Sequence, residues 1–155
     1  MRAPVFLFIA ACLPSIGGAA EICPWLNTAT AGGFLGGPVT SFTVKHAQMG
    51  ADASCDFVRR NGAAVSGLRI EVETMHSPAK DFTAYAARCH APSVPLRAIG
   101  NEAVACTDNG AELVVGRVRD RAFVVRITTN DRALRPGALR DKARQAAEQV
   151  AGILF

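Results

Sequence analysis

Aromatic residues are scarce in this chain: one Trp, one Tyr and eight Phe among 155 residues, 6% in all. So few rings offer no series of platforms for stacked bases, which argues against nucleic acid as a partner. No apolar run approaches the roughly 20 residues that a membrane-crossing helix needs, so no transmembrane helix is expected. No two cysteines stand in C-x-x-C spacing. That removes a thioredoxin-like redox centre and disfavours a structural zinc site, whose ligands usually come in closely spaced pairs. The three histidines, His46, His76 and His90, are not at metal-motif spacing from one another. There is no G-x-S-x-G nucleophile elbow and no Walker lysine.

What is present begins with the first residues. Met1-Arg2 supplies a positive start, Val5 to Ala11 is an apolar run, and Gly18-Ala19-Ala20 is a small-residue site before Glu21. That order predicts a secretory signal peptide over 1–20. Ile9-Ala10-Ala11-Cys12 also has the form of a bacterial lipobox. Cleavage after Ala20 gives a periplasmic or secreted protein, whereas lipidation at Cys12 leaves the same domain anchored to a membrane. The remainder, 21–155, has about 135 residues, a usual length for one domain.

Beyond the leader stand Cys23, Cys55, Cys89 and Cys106. An even number in an exported chain predicts two disulfides. Every pairing is open from sequence; the expected one is Cys23–Cys55 with Cys89–Cys106, each tying a helix to a neighbouring strand.

Hydrophobic periodicity predicts an α+β fold in the order α-βββ-α-βββ-α: a single curved antiparallel sheet of about six strands with helices on one face. An opening helical segment spans 21–37, with Pro24 in its first turn, Asn27 or Thr28 as a cap and Gly36-Gly37-Pro38 ending it. Strands follow around Phe42-Val44-His46 and Cys55-Phe57, with a hairpin at Asn61-Gly62. Leu68, Ile70, Val72 and Thr74 alternate with Arg69, Glu71, Glu73 and Met75, the pattern of a strand with one buried and one wet face. Ser77-Pro78 opens a second helix with the stripe Phe82, Tyr85, Ala86 and Cys89, which Pro92 and Pro95 break. Strands are predicted over 102–107, 111–119 and 121–129. A closing helix runs from about Leu139, its stripe Leu139, Ala143, Ala146, Val150 and Ile153.

Four short segments follow one another along the chain: Cys23-Pro24-Trp25-Leu26-Asn27, Phe34-Leu35-Gly36-Gly37, Cys55-Asp56-Phe57 and Ile99-Gly100-Asn101-Glu102-Ala103. In that order they resemble small exported bacterial proteins of unknown function, similar to uncharacterised envelope lipoproteins. Those also carry an early Cys, a Cys-x-aromatic strand, a Gly-Asn/Asp-x-Ala turn and a closing helix. The resemblance spans nearly all of 21–155. It implies an α+β fold, export and structural cysteines, and it brings no activity.

Candidate chemistry is sparse. His76, His90 and Asp81 could form a zinc site, but two helix-end histidines explain them better. Ser66 reads as a strand residue and Ser77 as a helix cap. Glu71 and Glu73 read as solvated charges, Gly32-Gly33 and Gly36-Gly37 as helix termination, and Trp25 as a lid over the first disulfide. The chain carries 17 basic and 13 acidic residues, a formal net charge of +4. The imbalance concentrates between Arg117 and Arg144. Arg117, Arg119, Arg121 and Arg126 are the expected contacts to anionic lipid or polysaccharide. The sequence is thus read as an exported, non-enzymatic binding or interaction module of the bacterial envelope, with no catalytic residue, metal or cofactor. Its alternatives are a small hydrolase or metal-dependent enzyme without a recognisable motif, and a structural envelope component.

Overall fold

The computed structural model describes residues 22–46, 52–90, 92–132 and 134–155. The expected leader, the cut after Ala20 and Cys12 lie outside the described residues. The chain runs α1 (Thr28–Leu35), β1 (Ser41–His46), β2 (Ala53–Asn61), β3 (Ala64–Thr74), α2 (Pro78–Ala86), β4 (Val94–Leu96), β5 (Glu102–Asp108), β6 (Ala111–Val118), β7 (Arg121–Thr129) and α3 (Pro136–Leu154). These strands join one antiparallel sheet in the order β1-β2-β3-β7-β6-β5-β4. Two meanders, β1-β2-β3 and β4-β5-β6-β7, therefore meet where β3 pairs with β7.

The hairpins follow from their turn residues. Asn61 pairs with Ala64, so the β2–β3 loop is Gly62-Ala63, with Gly62 at φ 59°. Glycine at the first central position is the signature of a II′ hairpin. The β6–β7 turn is less ordinary, because Arg119 sits there at φ 54°, a region costly for a residue with a side chain. Two neighbours hold it. Arg119 N–H donates to Asn101 Oδ1 at 2.5 Å, and Met75 N–H donates to Asp120 O at 2.6 Å. Gly100 makes the first contact feasible: at φ 61°, a Cβ there would lie 3.1 Å from both Arg117 C and Val118 Cγ2.

One face of the sheet carries the main core. Leu68, Ile70 and Val72 of β3 join Phe123, Val125 and Ile127 of β7 beneath α1 and α3. On α3, Leu139, Ala143, Ala146, Ala147, Val150 and Ala151 are buried. Ile153, expected on that stripe, is exposed; Ala147 and Ala151 occupy the inward positions instead. A buried carboxylate closes this layer: Glu112 accepts from Thr107 Oγ1 at 2.9 Å and from Arg140 Nε at 3.3 Å, which satisfies the charge where water is excluded.

The expectation of helices on one face is corrected. Phe82 of α2 packs with Met75 on Val115, Ala122 and Val124, on the face opposite α3. The reason lies in β6 and β7, whose near-continuous apolar runs leave both surfaces needing cover. The sheet also has seven strands among the described residues rather than about six. The additional one, β4, contains Pro95, which an edge strand tolerates because its outer side makes no ladder bonds.

Local corrections have equally local causes. The first helix begins at Thr28, where Asn27 Oδ1 accepts from Thr30 N–H at 2.8 Å, so Pro24 and Cys23 lie before it. Ser77 Oγ makes no capping bond; instead Ser77 N–H donates to Asp81 Oδ2 at 2.8 Å. The last helix starts at Pro136, ahead of Leu139. The disulfides are Cys23–Cys55 and Cys89–Cys106, as paired from sequence, although neither ties a helix to a strand: Cys23 lies before α1 and Cys89 beyond the end of α2. Trp25 is buried in the same cluster as Cys23 and Cys55, in keeping with a packing role.

Candidate functional site

Because α2 covers only part of the second face, a cleft of about 390 Å³ remains between its C-terminal end and the sheet. Leu113 and Val124, both buried, underlie it. Ala84 and Ala87 contribute from the helix side. Around this apolar base stand Arg69, Arg88 and Arg126 together with Glu71, Asp108 and His90.

Register creates the arrangement. Asp56 lies opposite Arg69, Arg69 opposite Arg126, and Arg126 opposite Leu113. Two arginines directly opposed across antiparallel strands repel one another, so the fold supplies counter-ions. Glu71 bridges two of the cations, Oε1 at 2.6 Å from Arg69 Nε and Oε2 at 2.8 Å from an Arg88 terminal nitrogen. Asp56 lies 3.8 Å from a terminal nitrogen of Arg69. Asp108 lies 3.7 Å from Arg126 and 3.8 Å from His90 Nδ1. These pairs are partly exposed, which limits what each adds to stability.

Beside the cleft, Arg88 stacks over Tyr85 with its guanidinium carbon 5.1 Å from the ring centroid. Tyr85 O–H donates to Glu73. Partial burial, followed by the hydrogen bond to Glu73 and the negative charge of Glu73, pushes the phenol up to about 12. Tyr85 is the only tyrosine, so an ultraviolet titration reads it alone. We expect a phenolate midpoint near 12, falling only part of the way toward about 10 in Glu73→Gln because burial, the largest cause, remains. A midpoint near 10 in the unexchanged protein would remove this contact. Because the folded value is raised, the stabilisation is full below the unfolded pKa of about 10 and fades as pH climbs through the folded value.

The arginines expected from sequence to act together are distributed over several surroundings. Arg117 pairs with Glu102 and donates to Arg119 O at 3.2 Å. Arg119 is exposed on the β6–β7 turn. Arg121 stands 3.7 Å from Asp52, whose Oδ1 also accepts from Thr74 N–H at 2.9 Å. Arg126 alone among them lines the cleft. Arg69 and Arg88 were not foreseen as site residues. The wet face of β3 was legible, but not that β7 would pair beside it.

Other candidates resolve individually. His76 and Asp81 line a separate depression with Tyr85, while His90 lines the cleft, so the conceivable His76–His90–Asp81 set is not assembled. Among the described residues, no group of three or more His, Cys, Asp or Glu is placed to hold a metal ion. Ser66 is buried, its hydroxyl 2.8 Å from that of Thr129. The glycines around α1 adjoin its last carbonyls, where Phe34 O accepts from Lys142 Nζ at 2.8 Å and Leu35 O from Arg59 at 3.3 Å. Cations at that helix end complement the dipole.

Comparison with protein families, with curated proteins and with solved structures found no match. No helix among the described residues is long and apolar enough to cross a membrane.

Proposed function

We propose that this protein is an exported, non-enzymatic binding module of the bacterial cell envelope, periplasmic or secreted, that holds an anionic ligand. The observation carrying this reading is the open cleft in which Arg69 faces Arg126 over an apolar floor. Carboxylates at 3.8 and 3.7 Å hold the two like charges, contacts that an arriving anion can exchange for charge-assisted hydrogen bonds. Two disulfides fit an oxidising compartment, as does the leader pattern of the first residues. The resemblance to envelope lipoproteins points the same way, and lipidation at Cys12 would add a tether without altering the domain.

The test is retention on phosphatidylglycerol vesicles or an acidic polysaccharide at low salt, with release as salt rises. Exchanging Arg69 and Arg126 together for Ser is expected to reduce retention severalfold while circular dichroism stays unchanged. Retention that ignores both salt and these substitutions would remove the reading.

A further inference from the structure

Within that reading, the cleft itself narrows the ligand. Glu71 holds Arg69 through Nε at 2.6 Å and Arg88 through a terminal nitrogen at 2.8 Å, fixing both side chains by short, charge-assisted contacts. The contact from the terminal end of Arg69 is different: 3.8 Å to Asp56. Arg126 likewise reaches Asp108 at 3.7 Å. Both separations exceed hydrogen-bonding distance. The two side chains keep 45% and 37% of their surface accessible. Their backbone positions are directly paired, and both side chains line the same cleft.

The surroundings restrict what that oxyanion is attached to. Asp56, Glu71 and Asp108 border the arginines. A chain of repeated negative charges would gain one favourable contact there and meet these carboxylates with its remaining groups. A single negative group avoids that repulsion. Beneath lie Leu113 and Val124, with Ala84 and Ala87 beside them, surfaces that reward an apolar body. The volume, about 390 Å³, is in the range of small-molecule pockets.

We propose that Arg69 and Arg126 form a clamp for one carboxylate or phosphodiester group borne on a short apolar body, a small amphiphilic monoanion, with Arg88 held at the rim by Glu71. This rests on the proposed anion-binding function but is narrower, since it sets extended acidic polymers aside. The same chemistry occurs in a free amphiphile and in the headgroup region of an anionic lipid. Asp56 and Asp108 act as placeholders that the ligand displaces.

Hexanoate, acetate and inorganic phosphate serve as probes, titrated into the full disulfide-bonded protein at low salt and followed by backbone amide shifts. Hexanoate is expected to move the amides of Arg69, Arg126, Leu113 and Val124 and to bind more tightly than acetate. Arg69→Gln and Arg126→Gln should each weaken it about tenfold, as expected for loss of a charged bidentate partner. Arg126→Lys keeps the charge and protects against a trivial folding defect, yet should still lose about fivefold because the planar fork is gone. Asp108→Asn should tighten binding. Phosphatidylglycerol vesicles separate the two sources: retention lost in Arg69→Gln assigns a lipid headgroup, and retention unaffected while hexanoate binding falls assigns a free amphiphile. Hexanoate shifts that are absent from these residues, or an affinity unchanged in both Arg69→Gln and Arg126→Lys, would overturn the clamp. Salt-sensitive vesicle retention could persist in that case, leaving the broader function standing without it.

Discussion

Exchanging Cys23 and Cys55 together for Ala lowers the thermal midpoint by roughly 15 °C, the largest effect expected of any disulfide removal here. The bridge closes a sequence separation of 32, against 17 for Cys89–Cys106. In the chain-entropy account, loops of these sizes contribute about 4 and about 3 kcal/mol. The position of the first bridge adds to the difference. Cys23 lies in the segment that precedes α1, and Trp25 and Leu26 of that segment are buried in the main core. Releasing Cys23 from β2 frees the segment to withdraw that apolar surface. Cys89, by contrast, follows α2, whose Phe82 remains seated on Val115 and Val124. Thermal melts of the two double variants decide it: the Cys89→Ala/Cys106→Ala protein should unfold at the higher temperature. A Cys23→Ala/Cys55→Ala protein melting within about 3 °C of the unexchanged protein would contradict this account.

A single added methyl produces the second large effect. Gly116 of β6 lies directly opposite Phe123 of β7, and a Cβ at Gly116 would stand 2.8 Å from Phe123 Cε1. Phe123 is fully buried in the main core, so its ring cannot swing into solvent. Gly116→Ala is therefore expected to cost about 3 kcal/mol, at the upper end of ordinary overpacking. Phe123→Ala alone should cost about 3–5 kcal/mol by opening a cavity. The double variant is the discriminating measurement. With the ring gone, the methyl added by Gly116→Ala has room, so the two losses should fall short of additivity by about 2 kcal/mol in denaturant unfolding. Additive losses would mean that the glycine is required for some reason other than the ring.

The same pair shows how far reading along the chain extends. Both residues lay within predicted strands, and the β6–β7 hairpin was legible from the single-residue break between the strands predicted over 111–119 and 121–129. Their contact was not, because it depends on which face of each strand turns toward α3. Turn chemistry and alternation carried most local elements, since φ preferences and burial act within a few residues. The misplaced features involved competition between neighbours. Asn27, one of the two caps expected, starts the helix at Thr28 and leaves Pro24 ahead of it, and at α2 Asp81 accepts the Ser77 N–H while the Ser77 hydroxyl makes no capping bond. The edge strand β4 was hidden by Pro95, read as a breaker when its place at the border of the sheet makes it harmless.

The candidate site divides along the same line. The basic character of Arg126 and the wet alternation containing Arg69 were both visible. Their opposition depended on β3 joining β7 across the chain, and the position of α2 decided that a cleft would lie over them.

From its own residues the chain determined an antiparallel α+β architecture, the hairpins and the set of cysteines available for bridging, because periodicity and turn chemistry act within a few residues of the backbone, whereas which thiol meets which is decided by the fold. Tertiary structure alone decided the β3–β7 pairing, the placement of α2 opposite α3, and the meeting of Arg69, Arg88 and Arg126 in one cleft. The physical reason is that long-range pairing is selected by burial of the whole sheet on both faces, a collective quantity that no short segment carries.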